Sequence, residues 1–323
     1  MPTAQLPSQA EIQHAAWLLR AGKLVAFPTE TVYGLGANAL DAAAVARIFQ
    51  AKGRPSSSPI IVHVSSMEMV RTVAAEWPSR AQFLAQRFWP GPLTLVLKKQ
   101  PAVPELVTAR LDTVGVRMPA HPVALALIEA AQIPIAAPSA NRFTQLSPTT
   151  AEHVRQALGD RVDYILDGGP CAVGIESTVL SLAGERPVLL RPGGISRRQI
   201  EEAIGTVAQQ TEASGEAHPA PGMHPRHYSP RTKLLLVRDG DVPAEGAGAY
   251  LQLHHPPARE VHETVRMPGT TAEYAAALYR VLHELDARGY DWIAVDAPGN
   301  AREWEAVRDR LMRAAGSGRT NSS

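Results

Sequence analysis

Residues 24–36 read LVAFPTETVYGLG, an apolar run that stops at a proline and continues into polar residues and glycines. The run Leu24–Phe27 has the length and composition of a short buried strand, and the stretch Thr29–Asn38 is typical of a loop. Open α/β sheets bind ligands where strands end in such loops. This stretch therefore predicts an α/β fold with an active-site loop directly after its first strand.

On either side of this stretch, helical and strand-like patterns alternate. Ser8 and Glu11 form a capping box before apolar residues at helical spacing, and Asp41 can cap a second helix that ends at Gly53. Some connections between strands are too short for a helical crossover, which indicates a mixed sheet. Further strand-like runs are Ile60–Val64, Leu93–Leu97, Val114–Met118, Ile133–Ala137, Val162–Leu166, Thr178–Leu182 and Val188–Arg191, and helical patterns cover Pro122–Ala131 and Thr150–Leu158.

The composition of the chain changes after a helix that Ser196 and Gln199 cap and that ends near Ile204. Residues 8–204 are predicted to form one α/β domain. Residues 205–231 are rich in Ala, Gly, Pro, Gln and Glu without apolar periodicity, which predicts a linker. Residues 232–315 contain strand-like runs and two long helical patterns, which indicate a smaller α/β domain.

Charge and cysteine content narrow the possible functions. The 323 residues include 32 basic and 31 acidic side chains, and a net charge of +1 would not hold the chain on nucleic acid or an anionic membrane. The single cysteine, Cys171, excludes an internal disulfide and a multi-thiolate metal site. We see no signal peptide pattern and no run near the roughly 20 apolar residues of a membrane span. We therefore expect a cytoplasmic protein.

Five segments at predicted strand or helix ends carry Ser, Thr, Asn, Lys or Arg instead of ordinary turn residues. Singly, each is as typical of a tight turn or a solvated helix end, because the spacing of a dinucleotide fingerprint or a P-loop is missing. Together they indicate a site for phosphate and carboxylate groups, to which Arg117 adds a planar bidentate donor. The segments are PTETVYGLG at 28–36, KGRPSSSP at 52–59, PSAN at 138–141 with SPT at 147–149, EST at 176–178 and RPGG at 191–194.

In this order and spacing, the segments resemble the YrdC-type threonylcarbamoyl-adenylate synthases. The resemblance covers residues from about Ser8 to Ile204, and PGMHPRHYSP at 221–230 is similar to the connector of the two-domain members. It implies a YrdC-like twisted mixed sheet flanked by helices, with a concave and positively lined cleft. It also implies a smaller Rossmann-like α/β C-terminal domain.

The resemblance implies a reaction of L-threonine, bicarbonate and ATP that yields L-threonylcarbamoyl-AMP and pyrophosphate. The product would serve the threonylcarbamoyladenosine (t6A) modification of tRNA next to the anticodon. The implied partners are these substrates and the downstream tRNA threonylcarbamoyl-transferase machinery, without stable direct binding of nucleic acid. Mg²⁺ is expected to arrive on the nucleotide, because no paired carboxylates stand at metal-ligand spacing.

The family's site residues are carried over position by position. Lys52 and Arg54 are the predicted catalytic residues, and both are expected to lie in a polar loop, where they would neutralise phosphate charge. Phe143 and Thr144 replace the Ser-Gly of many relatives but leave Ser147 in register. The predicted L-threonine site is Thr31, His63, Arg117, Ala137 and Ser177. The predicted ATP site is Lys52, Arg54, Ser58, Thr113, Ser139, Asn141, Ser147, Arg191 and Tyr228.

Three alternative functions fit the sequence less well. An RNA-binding module without catalysis would need a basic surplus, which the near-neutral charge does not supply. The carbamoyl-adenylate chemistry of hydrogenase maturation is associated with cysteine-rich zinc modules, which one cysteine cannot build. A zinc site at His224 and His227 lacks further ligands.

The connector is expected to act as a lid. Residues 221–230 combine three prolines with two histidines, an arginine and a tyrosine, a composition too stiff for a simple spacer. A site that makes a hydrolysable mixed anhydride benefits from excluding water. We expect Tyr228 to contact the nucleotide, with packing between the two domains as the alternative.

Overall fold

The computed structural model describes residues 6–209 and 227–316, which form two sheets flanked by helices. The helices are α1 (Gln9–Arg20), α2 (Ala42–Lys52), α3 (Met67–Val73), α4 (Ser79–Phe88), α5 (Glu105–Thr108), α6 (Pro122–Ala131), α7 (Ala151–Leu158), α8 (Arg197–Ile204), α9 (Thr271–Asp286) and α10 (Glu305–Ala315). The strands are β1 (Val25–Phe27), β2 (Gly34–Asn38), β3 (Val62–His63), β4 (Leu93–Lys98), β5 (Thr113–Arg117), β6 (Ile135–Ala136), β7 (Tyr164–Ile165), β8 (Thr178–Ser181), β9 (Val188–Arg191), β10 (Ala208–Gln209), β11 (Lys233–Val237), β12 (Gly248–Gln252), β13 (Glu263–Arg266) and β14 (Trp292–Asp296).

Among the described residues, the first sheet has ten strands in the order β10-β9-β8-β4-β5-β3-β6-β2-β1-β7. β1 pairs antiparallel with β2 and parallel with β7, so that Val25 lies beside Tyr164. β4 likewise pairs antiparallel with β5 and parallel with β8. The predicted mixed sheet flanked by helices is therefore confirmed.

Local capping groups set the helix ends that the sequence indicated. Ser8 Oγ accepts a hydrogen bond from the Glu11 amide at 3.3 Å, and the Glu11 carboxylate accepts from the Ser8 amide at 2.8 Å. Asp41 accepts from the Ala43 amide at 2.9 Å, and α2 ends at Gly53 with φ +63°. These bonds satisfy amides that the first helical turn leaves unpaired, which confirms the predicted starts of α1 and α2.

The stretch Thr29–Asn38 is not a loop throughout, because its second half forms β2 between β1 and β6. Glycines are depleted in strands, which is why the sequence favoured a loop here. A Cβ atom on Gly36 would lie 2.8 Å from Phe27 Cε1 and 2.9 Å from Ile135 Cγ2, so close packing requires glycine. The loop prediction was therefore wrong for Gly34–Asn38.

The second sheet has strand order β11-β14-β12-β13, and its strands pair in parallel. Its core includes the apolar faces of α9 and α10. The smaller α/β domain is confirmed, although β13 was not predicted, because two of its four residues, Glu263 and Arg266, are charged. Part of the predicted linker, Ala208–Gln209, pairs with β9, and residues 210–226, including His224, lie outside the described residues.

The two domains share one apolar cluster. Val32, Leu146 and Ile175 of the first domain are buried in the same cluster as the core of the second. Ser229 connects them further, because its amide donates to Thr144 O at 2.9 Å and its hydroxyl donates to Ala314 O at 3.0 Å. The end of the connector is thus held between the domains.

Two stacked histidines also join the domains, with His153 on α7 and His283 on α9. Their ring centroids are 3.9 Å apart at an interplanar angle of 22°. His283 Nε2 donates to Ser147 O at 3.1 Å, and His153 Nδ1 accepts from the Thr149 amide at 3.3 Å. Burial, with His283 and Arg280 nearby, lowers the pKa of His153 to about 3, and burial also lowers the pKa of His283.

We expect acid to destabilise the protein through this pair. Between pH 6.5 and about 3 the unfolded chain binds more protons at His153 than the folded chain does, so the free energy of unfolding falls as pH falls. The limiting slope is about 1.4 kcal/mol per pH unit for each such histidine. Thermal melting between pH 7 and pH 4 should be less pH-dependent in His153→Asn than in the wild type. The exposed His254 supplies the matched variant His254→Asn, and an equal change in slope in both variants would contradict the assignment.

Candidate active site

A cleft opens where β1, β3, β5, β6 and β9 end and β8 begins. Its empty volume, counting the open mouth, is about 530 Å³. Strand ends and their loops supply most of its wall, as the fold class predicts. The predicted threonine residues Thr31, His63, Arg117, Ala137 and Ser177 all line it, and so do Arg54, Ser139, Arg191 and Tyr228 from the predicted ATP site.

Arg117, at the end of β5, organises one side of the cleft. Its Nη2 lies 2.6 Å from Glu30 Oε1, its Nη1 donates to Thr31 Oγ1 at 3.0 Å, and its Nε donates to Gly91 O at 3.2 Å. The side chain is buried, and these charge-assisted contacts fix the plane of the guanidinium. The cleft therefore presents a cation and a hydroxyl side by side, with a carboxylate that balances the charge.

His63, at the end of β3, is a neutral polar group in the same wall. Burial, together with the charge of Arg117, lowers its pKa to about 3, so the ring is uncharged at neutral pH. Its ring packs edge-on against Phe27, with centroids 6.1 Å apart. Within residues 6–209 and 227–316, His63 Nδ1 has no hydrogen-bond partner. An unsatisfied buried atom at a cleft wall indicates a group that a ligand pairs with.

Two arginines form the cationic side of the cleft. Arg54 Nη2 donates to Ser58 Oγ at 2.6 Å, and burial lowers its pKa to about 10, which leaves it charged at neutral pH. Arg191 donates through Nη2 to Ser177 O at 2.9 Å and to Ser177 Oγ at 3.1 Å. The Ser177 hydroxyl also lies 2.8 Å from Thr94 Oγ1. These oxygen atoms hold the two guanidinium groups in place at the cleft.

Lys52 lies behind the cleft wall. Its Nζ donates to Ser139 O at 2.6 Å, to Asn141 O and to Asn141 Oδ1 at 3.4 Å. Burial, with Arg54 nearby, lowers its pKa well below the usual range. The expectation of a polar loop was wrong for Lys52, which is the last residue of α2, whereas Arg54 does follow in a loop; both side chains are buried. Carbonyl acceptors from residues 138–141 make this burial possible.

The other predicted ATP residues lie at two depths. Ser58 and Asn141 sit in the layer behind the wall, where they bond Arg54 and Lys52. Ser147 is buried there too and donates to Glu176 Oε1 at 2.5 Å. Thr113 is not brought to the cleft, because it begins β5, about 13 Å along the strand from Arg117. Its contact with ATP stays a prediction.

Tyr228 closes one side of the cleft and is also buried between the domains. It is 1% exposed, and its φ of +61° is rare for a bulky residue, so surrounding contacts must fix its backbone. Its ring lies 4.2 Å from that of His227 and 6.0 Å from that of Tyr279, measured between centroids. The structure therefore places Tyr228 both at the cleft and between the domains, and its contact with the nucleotide stays a prediction.

Two carboxylates in the cleft region were not among the predicted site residues. Glu30 pairs with Arg117, and Glu176 pairs with Arg310 of α10 at 2.6 Å. Both carboxylates are adjacent in sequence to predicted site residues, and this adjacency is the signal that could have identified them. Nothing in the sequence indicated Arg310, because an arginine on an amphipathic helix is usually solvated.

The described part of the chain contains no group of three or more His, Cys, Asp or Glu residues that could hold a metal ion. Cys171 is buried, and burial raises the pKa of its thiol. In residues 6–209 and 227–316, no helix has the length and apolar character that crossing a bilayer requires.

Comparison with known proteins extends over both domains. Residues 17–193 match the Sua5/YciO/YrdC family, described as "Telomere recombination", and residues 195–316 match "Threonylcarbamoyl-AMP synthase, C-terminal domain". A threonylcarbamoyl-AMP synthase of Pyrococcus abyssi is 44% identical over 95% of this chain and 94% of its own length, and one of Bacillus subtilis is 43% identical over 95% and 93%. The crystal structure of P. abyssi Sua5 complexed with L-threonine aligns with a TM-score of 0.89 at 42% identity and covers 96% of each chain.

Proposed function

This chain belongs to the Sua5/YciO/YrdC family in its two-domain, threonylcarbamoyl-AMP synthase form, and from this premise we propose how its cleft makes threonylcarbamoyl-AMP. It is an enzyme of the nucleotidyltransferase type that acts on L-threonine and ATP. We propose that bicarbonate supplies the carbamoyl carbon and that pyrophosphate leaves. One observation carries the assignment of roles: a buried arginine–hydroxyl pair and a pair of buried arginines face the same cleft.

The threonine half of the reaction is assigned to the side of the cleft around Arg117. Its fixed guanidinium suits a planar carboxylate, and the adjacent Thr31 hydroxyl provides a second polar contact. His63 is neutral and has an unsatisfied ring nitrogen, so it can orient the amine or hydroxyl of threonine without adding charge. Ala137 and Ser177 complete this wall.

The nucleotide half is assigned to Arg54, Arg191 and the residues around Ser139. The threonine amine first captures CO₂ derived from bicarbonate, and a carbamate oxygen then attacks the α-phosphorus while pyrophosphate leaves in line. Such a displacement needs no protein nucleophile and depends on positioning and on stabilisation of developing charge. Two charged arginines held by neutral oxygens are suited to that task.

We assign Mg²⁺ to the nucleotide rather than to protein ligands. Among the described residues, the carboxylates of the cleft region are Glu176 in its wall and Glu30 beside Arg117, and each pairs with an arginine, so the donor set does not fit a protein-held ion. We further propose that the enzyme works in the cytoplasm and passes its labile product to the tRNA-modifying transferase.

The overall reaction is tested by following ATP consumption while threonine and bicarbonate are varied separately. We expect pyrophosphate release to require both and to be accompanied by threonylcarbamoyl-AMP in chromatography. Release that continues at full rate without threonine would sink the proposed reaction. Omission of bicarbonate from degassed buffer isolates the source of the carbamoyl carbon.

Tyr228 is predicted to contribute to nucleotide binding as well as to packing. Tyr228→Ala should raise the KM for ATP by about tenfold and release AMP without stable adenylate, because the opened wall admits water. It should also destabilise the fold by about 3–5 kcal/mol, since a buried aromatic ring is lost. Steady-state kinetics and thermal melting measure the two effects.

Tyr274 provides a matched control, because it is fully buried in the second domain and packs on Trp304 with centroids 5.4 Å apart. Tyr274→Ala should lower the melting temperature without changing the KM for ATP. A parallel rise in the KM for ATP in both variants would show that Tyr228 acts through stability alone.

A further inference from the structure

Arg310 is a fully buried arginine that the second domain inserts into the first. Its side chain is 0% exposed, although α10 lies on the opposite side of the domain boundary from the sheet that forms the cleft. Its Nε donates to Glu176 Oε2 at 2.6 Å, and its Nη2 donates to Pro192 O at 3.0 Å. Nη1 donates to Asp309, the preceding residue, at 2.5 Å.

These contacts reach three segments of the cleft wall at once. Glu176 directly precedes Ser177, and Pro192 directly follows Arg191. The guanidinium carbon of Arg310 also lies 5.1 Å from the centroid of the Tyr228 ring, a distance typical of a cation–π contact. Arg310 does not line the cleft itself, so any effect on the reaction must pass through these neighbours.

The contact between Arg310 and Glu176 is important because it determines the net charge around this carboxylate. Glu176 lines the cleft and accepts hydrogen bonds from Ser147 Oγ and Tyr279 Oη, but these partners are neutral. Burial disfavours its charged form, yet Arg310 and then Arg191 hold its pKa below the usual range, so it is an anion. Without Arg310, this buried carboxylate would lose the cation that lies 2.6 Å from it, in the wall of the cleft to which the proposed function assigns ATP.

We propose that Arg310 is a positioning residue of the active site, which neutralises Glu176 so that the cleft wall does not repel the phosphates of the nucleotide. The second domain then completes the electrostatics of the cleft in addition to holding the connector. This inference rests on the proposed function, since it assumes that the cleft binds ATP. Loss of Arg310 would leave an uncompensated carboxylate in the cleft wall, which would repel phosphate.

The test compares Arg310→Met with Arg310→Met/Glu176→Gln in the full chain. In the single variant the KM for ATP should rise by about tenfold or more. The KM for threonine should change by less than about twofold, because Arg117, which is assigned to the threonine carboxylate, lies in another part of the cleft wall. In the double variant residue 176 is neutral and Asp309 still pairs with Arg313 at 2.9 Å, so the KM for ATP should return to within about threefold of the wild-type value. Titration calorimetry with ATP alone provides a readout independent of turnover.

Arg308→Met is the matched control, because Arg308 lies on the same helix and donates to Ala301 O of its own domain at 2.8 Å. It should leave both KM values unchanged. Arg310→Lys should recover part of the ATP affinity, since it restores the charge without the planar fork.

The inference is overturned if the double variant folds but binds ATP as weakly as Arg310→Met, or if Arg310→Met folds and binds ATP normally. If the single variant does not fold, the double variant decides, and its failure to fold would also overturn the inference. Failure of the proposed function is distinguishable, because it would appear in the wild type as pyrophosphate release without threonine.

Discussion

Arg54→Ala should lower the rate of adenylate formation by about 10²–10³-fold, the usual consequence of removing one preorganised charge from a site of developing negative charge. Arg54 is buried at the cleft, remains charged at neutral pH and is held by Ser58. The loss should appear in kcat as well as in the KM for ATP, because the contact strengthens as pyrophosphate leaves. Single-turnover measurements with radiolabelled ATP separate the chemical step from binding.

Because Arg54 is buried, the variant will also lose stability, and the kinetic effect must be separated from unfolding. Ser58→Ala removes the hydroxyl that accepts from Arg54 while it keeps the cation, and should cost the rate much less. Arg198→Ala tests the removal of a surface charge, since the Arg198 side chain is 82% exposed and pairs with Glu202 at 2.9 Å on the same helix. Wild-type turnover in a folded Arg54→Ala protein would contradict the phosphate assignment.

Arg117→Ala should raise the KM for threonine more than any other single change in the cleft, by about 30-fold or more. The same change leaves Glu30 buried without its cation, which should destabilise the fold by about 3–5 kcal/mol. Arg117→Lys keeps the charge but loses the bidentate fork, so it should retain most of the stability and still bind threonine about tenfold more weakly. Kinetics at varied threonine and at varied ATP, together with denaturant unfolding, measure these effects.

The difference between the effect on threonine binding and the effect on ATP binding is the decisive part of this prediction. ATP binding should change little in Arg117→Lys, because the cations assigned to ATP are Arg54 and Arg191. Equal losses of affinity for threonine and for ATP would argue against a carboxylate clamp. His63→Gln offers a second probe of the same wall, since it removes a neutral ring without leaving a buried charge unpaired.

Local signals explain why so much of the first domain could be predicted. The capping residues of α1 and α2 act within one turn of the chain, and apolar runs identify β4, β5 and β9 almost to the residue. The polar segments at strand ends were found for the same reason, because each is contiguous in sequence. The prediction that these segments face one cleft came from the family resemblance and not from periodicity.

Long-range charge pairing explains most of what was missed. The partners Glu176 and Arg310 are separated by 134 residues, and no local pattern connects them. Lys52 was expected in a polar loop because lysine is rarely buried, but carbonyls from residues 138–141 replace its water. β2 was missed because its glycines oppose strand propensity, and tight packing against Phe27 and Ile135 outweighs that preference.

The pairing of β1 with both β2 and β7 also affects how the chain folds during its synthesis at the ribosome. Leu24 donates its amide to the Asp163 carboxylate across a sequence separation of 139 residues. At 5–20 residues per second, synthesis of the intervening chain takes about 7–28 s, far longer than a hairpin needs to form. During that interval β1 can pair with β2, but its other edge has no partner. The nascent first domain therefore passes through a stage with an exposed, apolar strand edge, at which chaperones would be expected to act.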